Sequence, residues 1–355
     1  MQKECHSPII FNGQIVERMD EQKYLGLILD SGLSFAKHIT AKISIAKKKI
    51  GIIKNLSYFL PLKVLNQMYK VFVRSHLDYC DFIYHIPHTI CHSPLGISLH
   101  TLMESIEKIQ YLGALAVTGA WQGSSCSKLC DELGWETLSD RRMFRRVLQL
   151  YKISNMMTPE YLYEKLPPRK RTFLYSNDIT LSYRDIRSRT LRYANSFFPD
   201  AIRSWNNLIS HFSVMPTIGV FKAHLISLIR SDPKSTFNIH DPIGLRCLFM
   251  LRLGLSPLRS HKFCHNFLDT LSDICCCTLA AEDTEQFLLY CPLYADKRVF
   301  LVSSINEIVL RYDLPLISES YRFFLYGHHL LSEHDNKKVL LATIDYIKNT
   351  NRFNE

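Results

Sequence analysis

Three cysteines carry the clearest chemical signal in this chain: Cys275 and Cys277 one residue apart, then thirteen residues, then Cys291 ahead of Pro292. Two thiolates on a tight turn and a third at the end of a following short helix make three corners of a tetrahedral Zn²⁺ site, in which Zn–S bonds are about 2.3 Å. The fourth corner is not written beside them. One helical turn before Cys291 stands Gln286, and an amide is a poor zinc ligand. His261, Cys264, His265 or Cys276 supply it only if the fold brings them in; otherwise the three thiols form a reduced, buried cluster. Eleven cysteines, an odd number in a chain of 355 residues, fit reduced thiols better than a disulfide framework. A second group, His85, His88, Cys91 and His92, has ligand-like steps, but a chain with fifteen histidines produces such groups by composition alone. Cys126 and Cys130, four apart on an expected helix, read as half-buried thiols.

Three further sets of side chains suit a polyanion. Between Phe35 and Asn55 the chain carries lysines at 37, 42, 47, 48, 49 and 54 and no acidic residue. Such a helix either lies along phosphates, with Lys42, Lys47, Lys48 and Lys49 as mobile point charges, or is a solvated face. Arg184, Arg187, Arg189 and Arg192 are interleaved with Tyr183 and Tyr193 and opposed only by Asp185. Guanidinium forks fit phosphate oxygens and aromatic rings stack on unpaired bases; the alternative is a loop pinned to carbonyls of its own fold. Arg141, Arg142, Arg145 and Arg146 form another basic set on one broad helical face.

Enzyme signatures are missing. There is no Gly-x-Ser-x-Gly, no Walker phosphate loop, no Gly-x-Gly-x-x-Gly, no His-Glu-x-x-His and no Asp-Asp pair, so a strand turn holding two adjacent carboxylates on Mg²⁺ is absent. A nuclease built from scattered carboxylates is the remaining enzymatic reading.

The elements that must position these residues follow from periodicity. With 47% hydrophobic and 12% aromatic residues the chain can fill packed cores. Its formal net charge is +10. Residues 281–355 carry eleven acidic and eight basic side chains, so the first 280 hold about +13 and the polyanion-facing surface belongs there. No apolar run approaches the roughly 18 residues of a membrane span, and the first residues do not read as a secretory signal. An intracellular protein of the nucleus or cytoplasm, without a membrane partner, is expected.

Residues 15–30 read as a hairpin with a polar turn at Met19 to Gln22. Ile39, Ile43, Ala46, Ile50 and Ile53 make one face of a helix over 36–55. Further helices are expected from Pro61, over 99–118, 139–156, 199–207, 218–230, 245–253, 294–311 and 336–350. Phe197, Phe198 and Trp205 are the expected core anchor of the middle region. The expected fold is mainly α, in four parts: a hairpin (1–35), a helical domain (36–166), an irregular basic and aromatic region (167–244), and a small helical domain carrying the cysteines (245–355).

Several stretches, in order, resemble the segment after the palm in reverse transcriptases of non-LTR retrotransposons, jockey-like and related long interspersed elements. They are Tyr24 to Asp30 (YLGLILD), Leu65 to Tyr84 (LNQMYKVFVRSHLDYCDFIY), Lys108 to Tyr111 with Thr118 to Trp121, and Leu133 to Arg142 (LGWETLSDRR). Phe197 to Asn206 (FFPDAIRSWN), Leu251 to Arg259 (LRLGLSPLR) and Thr350 to Phe353 continue the likeness. It spans about residues 10 to 353.

The resemblance implies a primer-grip-like hairpin at 15–30, a thumb and helical extension from 36 to about 160, and a zinc-knuckle domain at 245–353. In that family the knuckle is Cys-x-Cys, eight residues, His, four residues, Cys. Cys275, Cys277 and Cys291 match it, and Gln286 stands at the histidine position. The fingers and palm, with the Asp pair that holds Mg²⁺, would lie upstream of Met1. By resemblance, then, the chain is a non-catalytic portion of an RNA-directed DNA polymerase, with RNA or RNA–DNA hybrid, and a palm-containing reverse transcriptase chain, as partners. The rival from another class is a helical scaffold or protein-interaction remnant of a decayed element.

Overall fold

The structure, a computed structural model, describes residues 9–17, 19–84, 99–171, 179–209, 212, 214–229, 238–313 and 320–353. It is mainly α-helical, with small antiparallel strand pairs. The group His85, His88, Cys91 and His92 lies outside the described residues.

Two hairpins open the chain, β1 (Ile10–Phe11) with β2 (Gln14–Ile15) and β3 (Glu21–Tyr24) with β4 (Leu27–Asp30). The expected turn at Met19 to Gln22 is displaced: Glu21 and Gln22 belong to β3, and the chain reverses at Leu25 and Gly26, both at positive φ (46° and 82°). Positive φ at both central residues is what a two-residue hairpin with strand-matched twist requires, and Gly26 meets it without strain. Asn12 and Gly13, at 48° and 76°, turn the first hairpin the same way. Asp30 then caps the entry to α1 (Ala36–Leu56), its carboxylate accepting from the backbone N–H of Ser34 and Phe35 at 2.9 Å each.

The isoleucine row of α1 does what its spacing predicts. Ile39, Ala46, Ile50 and Ile53 are buried, largely against α5 (Leu99–Thr118). Pro61 stands just before α2 (Leu62–Met68), at the helix start where a missing N–H is tolerated. That helix continues through a π-turn (Tyr69–Arg74) into α3 (Ser75–Asp78) and, after Cys80, into α4 (Asp81–Tyr84). Gly113 of α5 sits directly on the Tyr69 ring, where a Cβ would lie 2.3 Å from a ring carbon. The close approach lets Tyr69 stack on Trp135 at 4.1 Å between centroids.

After α6 (Cys126–Leu133), α7 (Leu138–Ser154) is capped by Thr137, whose side chain accepts from the Asp140 N–H at 3.0 Å. This helix joins two apolar clusters. Leu138 belongs to the first, which unites the hairpin and helices up to α6 with the C-terminal helices; Val147, Leu150 and Tyr151 belong to the second. α8 (Glu160–Tyr163) and the pair β5 (Arg169–Arg171) and β6 (Ile179–Tyr183) follow, then α9 (Leu191–Ala194), α10 (Phe197–Ile209) and α11 (Ile218–Ile229). Fully buried Trp205 centres the second cluster beside Phe221, and its Nε1 donates to the Leu181 carbonyl at 3.0 Å. Phe197 and Phe198 sit at its edge, only partly buried.

The last third is helical again: α12 (Pro242–Leu253), capped by Asp241, then α13 (Arg259–Cys264), α14 (Ala295–Arg311), α15 (Tyr321–Tyr326) and α16 (Glu333–Asn349). Arg252 of α12 and Glu132 of α6 pair at 2.6 Å with side chains only 2% and 4% exposed, and Arg252 also donates to the Leu325 carbonyl. No described helix is long and apolar enough to cross a membrane. Removing one member of a buried pair strands the other's charge. Glu132→Leu should therefore destabilise the chain by about 3–5 kcal/mol in denaturant titration. Glu132→Leu combined with Arg252→Met should recover most of the loss; a double variant no better than the single would show that the pair is not the cause.

Candidate metal centre and nucleic-acid interface

The cysteine cluster is assembled by two local devices. Residues 273–282 fold back on themselves: Ile274 bridges Ala281, the Cys275 N–H donates to the Ala280 carbonyl at 2.9 Å, and Thr278 takes φ 64° at the tip. That turn carries Cys275 and Cys277. Asp283 then starts a short π-helical segment, Gln286–Tyr290, by accepting from the Gln286 N–H at 2.8 Å. The wider π turn lets the Cys291 N–H reach the Gln286 carbonyl at 2.7 Å, and this brings Cys291 beside the first two thiols.

The sulfurs of Cys275, Cys277 and Cys291 all lie within 4.8 Å of one another, with Cys275 and Cys291 3.7 Å apart. Zn–S bonds of about 2.3 Å put tetrahedral sulfurs ~3.8 Å apart, so the cluster can hold a metal ion with small adjustment. Burial pushes the Cys275 thiol up to about 12. The backbone N–H of Leu279, followed by hydrogen bonds from Cys275 and Cys291, holds Cys277 below the ordinary thiol value, so it ionises more readily than Cys275.

None of the outside fourth ligands that the sequence offers joins this group among the described residues. His261 is engaged at both ring nitrogens, Nδ1 with Ser256 Oγ at 2.7 Å and Nε2 with Thr284 Oγ1 at 3.2 Å, and burial pulls its pKa down to about 4. Cys264 and Cys276 are exposed. Gln286 is the side chain that reaches the cluster: its Nε2 lies 3.2 Å from Cys277 Sγ, and its Oε1 is buried without a hydrogen-bond partner.

The surrounding frame is held by contacts distant in sequence. Fully buried Phe287 packs against Tyr294, Tyr346 and Phe353. Arg298 clasps the segment's end, donating to the carbonyls of Leu288 and Cys291 at 2.8 Å each. Arg352 donates to both oxygens of Glu282 at 2.8 and 2.9 Å, and the Arg259 N–H gives Glu282 a third bond at 2.8 Å. Sequence reasoning missed Arg298, Arg352 and Glu282. No local signal marks a pair seventy positions apart, although Arg352 lies inside the final stretch of the resemblance.

The lysines of α1 divide by direction. Lys37 pairs with Glu21; Lys42 lies over the Tyr79 ring at 5.0 Å; Lys49 lies over Phe72 at 5.9 Å and meets His76 Nε2 at 2.6 Å. Lys47, Lys48 and Lys54 are exposed and make no ion pair among the described residues. The hairpin sits at the head of this helix, with the Tyr79 hydroxyl donating to the Leu25 carbonyl and the Ile28 N–H to His38 Nδ1 at 3.4 Å.

Arg184, Arg187 and Arg189 are exposed; the side chain of Arg192 lies outside the described residues. Asp185, their expected opponent, is occupied by Lys170 at 2.9 Å and Asn206 at 3.1 Å. Of the two interleaved rings, Tyr183 is buried, covered by Arg169 at 4.7 Å and bonded to Ser154, so it is not a stacking platform, whereas Tyr193 is 49% exposed. The arginines of α7 are each paired with a carboxylate of the fold; Arg142 and Arg146 are buried, Arg141 and Arg145 partly so. Arg141 pairs with Asp78 and Glu136 at 2.8 and 2.7 Å, Arg142 with Glu107 at 3.0 Å, Arg145 with Asp81 at 3.0 Å, and Arg146 with Asp200 at 2.6 Å. The chain matches no family model, no curated protein and no solved structure.

Glu282 yields a pH prediction. Burial opposes its ionisation, but the bonds from Arg352 and Arg259 outweigh it and hold the carboxyl below its ordinary value of 4.5. Its stabilisation is therefore complete above that value and is lost as pH falls through the lower folded pKa. Denaturant midpoints measured from pH 7 downwards should decline below about pH 4.5. Glu282→Gln should cost about 1.5–3 kcal/mol at pH 7 and flatten that part of the decline; an acid profile identical to the parent's would exclude Glu282 as its source.

Proposed function

We propose that this chain is a non-catalytic, nucleic-acid-gripping portion of a reverse transcriptase of the non-LTR retrotransposon type, holding RNA or RNA–DNA hybrid. The observation that carries the reading is the division of labour on α1. That helix has six lysines and no carboxylate, its apolar row is consumed by the core, and Lys47, Lys48 and Lys54 are left facing solvent without an acidic partner. Unpaired, closely spaced cations on a rigid helix neutralise phosphates at little conformational cost and release counterions as they do.

Three further features support it. A hairpin is anchored at the head of that helix through Tyr79 and His38, the arrangement expected of a primer-grip-like element beside a thumb-like helix. Arg184, Arg187 and Arg189 provide further exposed cations, and exposed Tyr193 follows them in sequence; guanidinium and ring are suited to phosphate and an unpaired base. The thiol cluster and its frame provide a zinc-knuckle-like unit in which three of four positions match. In this reading synthesis belongs to a palm on a separate stretch of polypeptide, which would supply the Mg²⁺-binding carboxylates.

A second reading, a protein-interaction scaffold, draws on the exposed apolar row Val64, Val71 and Phe72, which are 42%, 49% and 50% exposed.

Fluorescence anisotropy with labelled single-stranded RNA and RNA–DNA hybrid across a salt series tests the first reading. Affinity should fall with salt, by about 0.7 of a log unit per log unit of salt for each phosphate neutralised on single strands. Lys47→Ala, Lys48→Ala and Lys54→Ala together should lower the slope by roughly 2. Replacing Arg184, Arg187 and Arg189 as well should lower it further. A parent chain that ignores RNA and hybrid at low salt would leave the scaffold reading in possession.

A further inference from the structure

The thiol cluster departs from a closed zinc site at one residue, and the departure has a direction. Gln286 stands where the resembled knuckle carries its histidine, yet it does not offer the cluster a metal-binding nitrogen. Its Nε2 lies 3.2 Å from Cys277 Sγ, the position of an N–H donor to sulfur, and an amide nitrogen has no lone pair to give, because the pair is delocalised into the carbonyl. Outer donors of this kind orient a ligand and tune its basicity rather than bind the ion.

The other end of the same amide is unanswered. Gln286 Oε1 is buried and has no partner, on a side chain that is 6% exposed. Buried acceptors are rarely left unsatisfied, so this one is available to a hydrogen-bearing group. Among the described residues three sulfurs make up the group, and no fourth His, Cys or carboxylate joins it. Access to it exists from one side: Cys275 and Cys291 are buried, but Cys277 is only half-buried, and Leu279 at the tip of its turn is 75% exposed.

We infer that Cys275, Cys277 and Cys291 form a three-thiolate site for a zinc-class divalent ion whose fourth position is left to a small, exchangeable ligand from outside the chain, with Gln286 as its hydrogen-bonding partner. The ligand is a neutral nitrogen or oxygen donor that carries a hydrogen, of the class of water or imidazole: the N–H or O–H meets Oε1 while Nε2 keeps its bond to Cys277. Three protein ligands with an open position are what separates sites that exchange small ligands from sites that only hold a fold together. This inference goes beyond the nucleic-acid reading and does not rest on it, since its readout is the metal.

Cobalt(II) is the probe. Added to the full chain under reducing conditions, it should give thiolate-to-cobalt charge-transfer absorption, and imidazole should then shift the ligand-field bands in a saturable way. Gln286→His supplies a fourth protein ligand, and its cobalt spectrum should no longer respond to imidazole. Gln286→Leu keeps the open position but loses the amide; it should still respond, with Co²⁺ and Zn²⁺ affinity weakened by about 10- to 100-fold. Far-UV circular dichroism checks that each variant is folded, and the parent chain decides the matter even if neither is. A parent spectrum unmoved by imidazole would mean a closed site, with Gln286 or another group as fourth ligand; absence of charge-transfer absorption would mean no such site. Either result overturns the inference.

Discussion

A buried guanidinium must be answered by a carboxylate, and in this chain that requirement governs both the packing and the surface. Arg252 with Glu132, Arg146 with Asp200, and the group Arg141, Asp78 and Glu136 are all removed from water to a large degree. Such pairs add little net stability over apolar equivalents, because desolvation offsets the attraction, but a wrong partner strands a charge. They therefore act as registration marks. Glu132 on α6 fixes Arg252 of α12, and Arg252 in turn holds α15 by donating to the Leu325 carbonyl. Arg146 binds Asp200 and also the carbonyls of Phe82 and Asn195, so the second apolar cluster takes one position on the first.

The same pairing determines what remains outside. Asp78, Asp81, Glu107, Glu132 and Glu136 of the N-terminal half are each engaged by a partly or fully buried arginine, so they are not available to the lysines of α1. Lys47, Lys48 and Lys54 face solvent, while the arginines that engage these carboxylates are partly or fully buried. Exposed positive charge among the described residues of the first 280 includes Lys47, Lys48 and Lys54 and, after β6, Arg184, Arg187 and Arg189. Counting basic residues overstates the exposed cationic surface, because Arg141, Arg142, Arg146 and Arg252 are paired inside the fold.

This is also where the sequence could and could not be read. Helix positions followed from apolar periodicity to within a few residues, because Ile39, Ala46, Ile50 and Ile53, or Phe221 and Leu225, are buried for the reason their spacing suggests. The Arg141 to Arg146 set was misleading because a charge run on a helix looks the same whether its partners are phosphates or Asp78, sixty-three positions away. Tyr183 was misleading in the same sense, as nothing local shows that Arg169 and Ser154 cover it. The hairpin turn was misplaced because polarity was weighed above conformation: Leu25 and Gly26 turn the chain by backbone geometry, while polar Glu21 and Gln22 pair in a strand. The cysteine cluster was legible in its three sulfurs, since two came from one tight turn and the third from the next segment. The place of Gln286 in it was legible only as a mismatch.

The frame around those sulfurs explains how such a mismatch is tolerated. In a small zinc module the metal supplies the folding energy, and losing one ligand unfolds it. Here the turn at 273–282 and the segment Gln286–Tyr290 are fixed independently, by Phe287 among three aromatic rings, by Arg298 on two carbonyls and by Arg352 on Glu282. None of these contacts passes through a thiol. A frame held by these contacts takes its shape without a fourth ligand, so position 286 carries no structural duty as one. What occupies it is then constrained only by burial and by the adjacent sulfur, and an amide that donates to Cys277 meets both conditions.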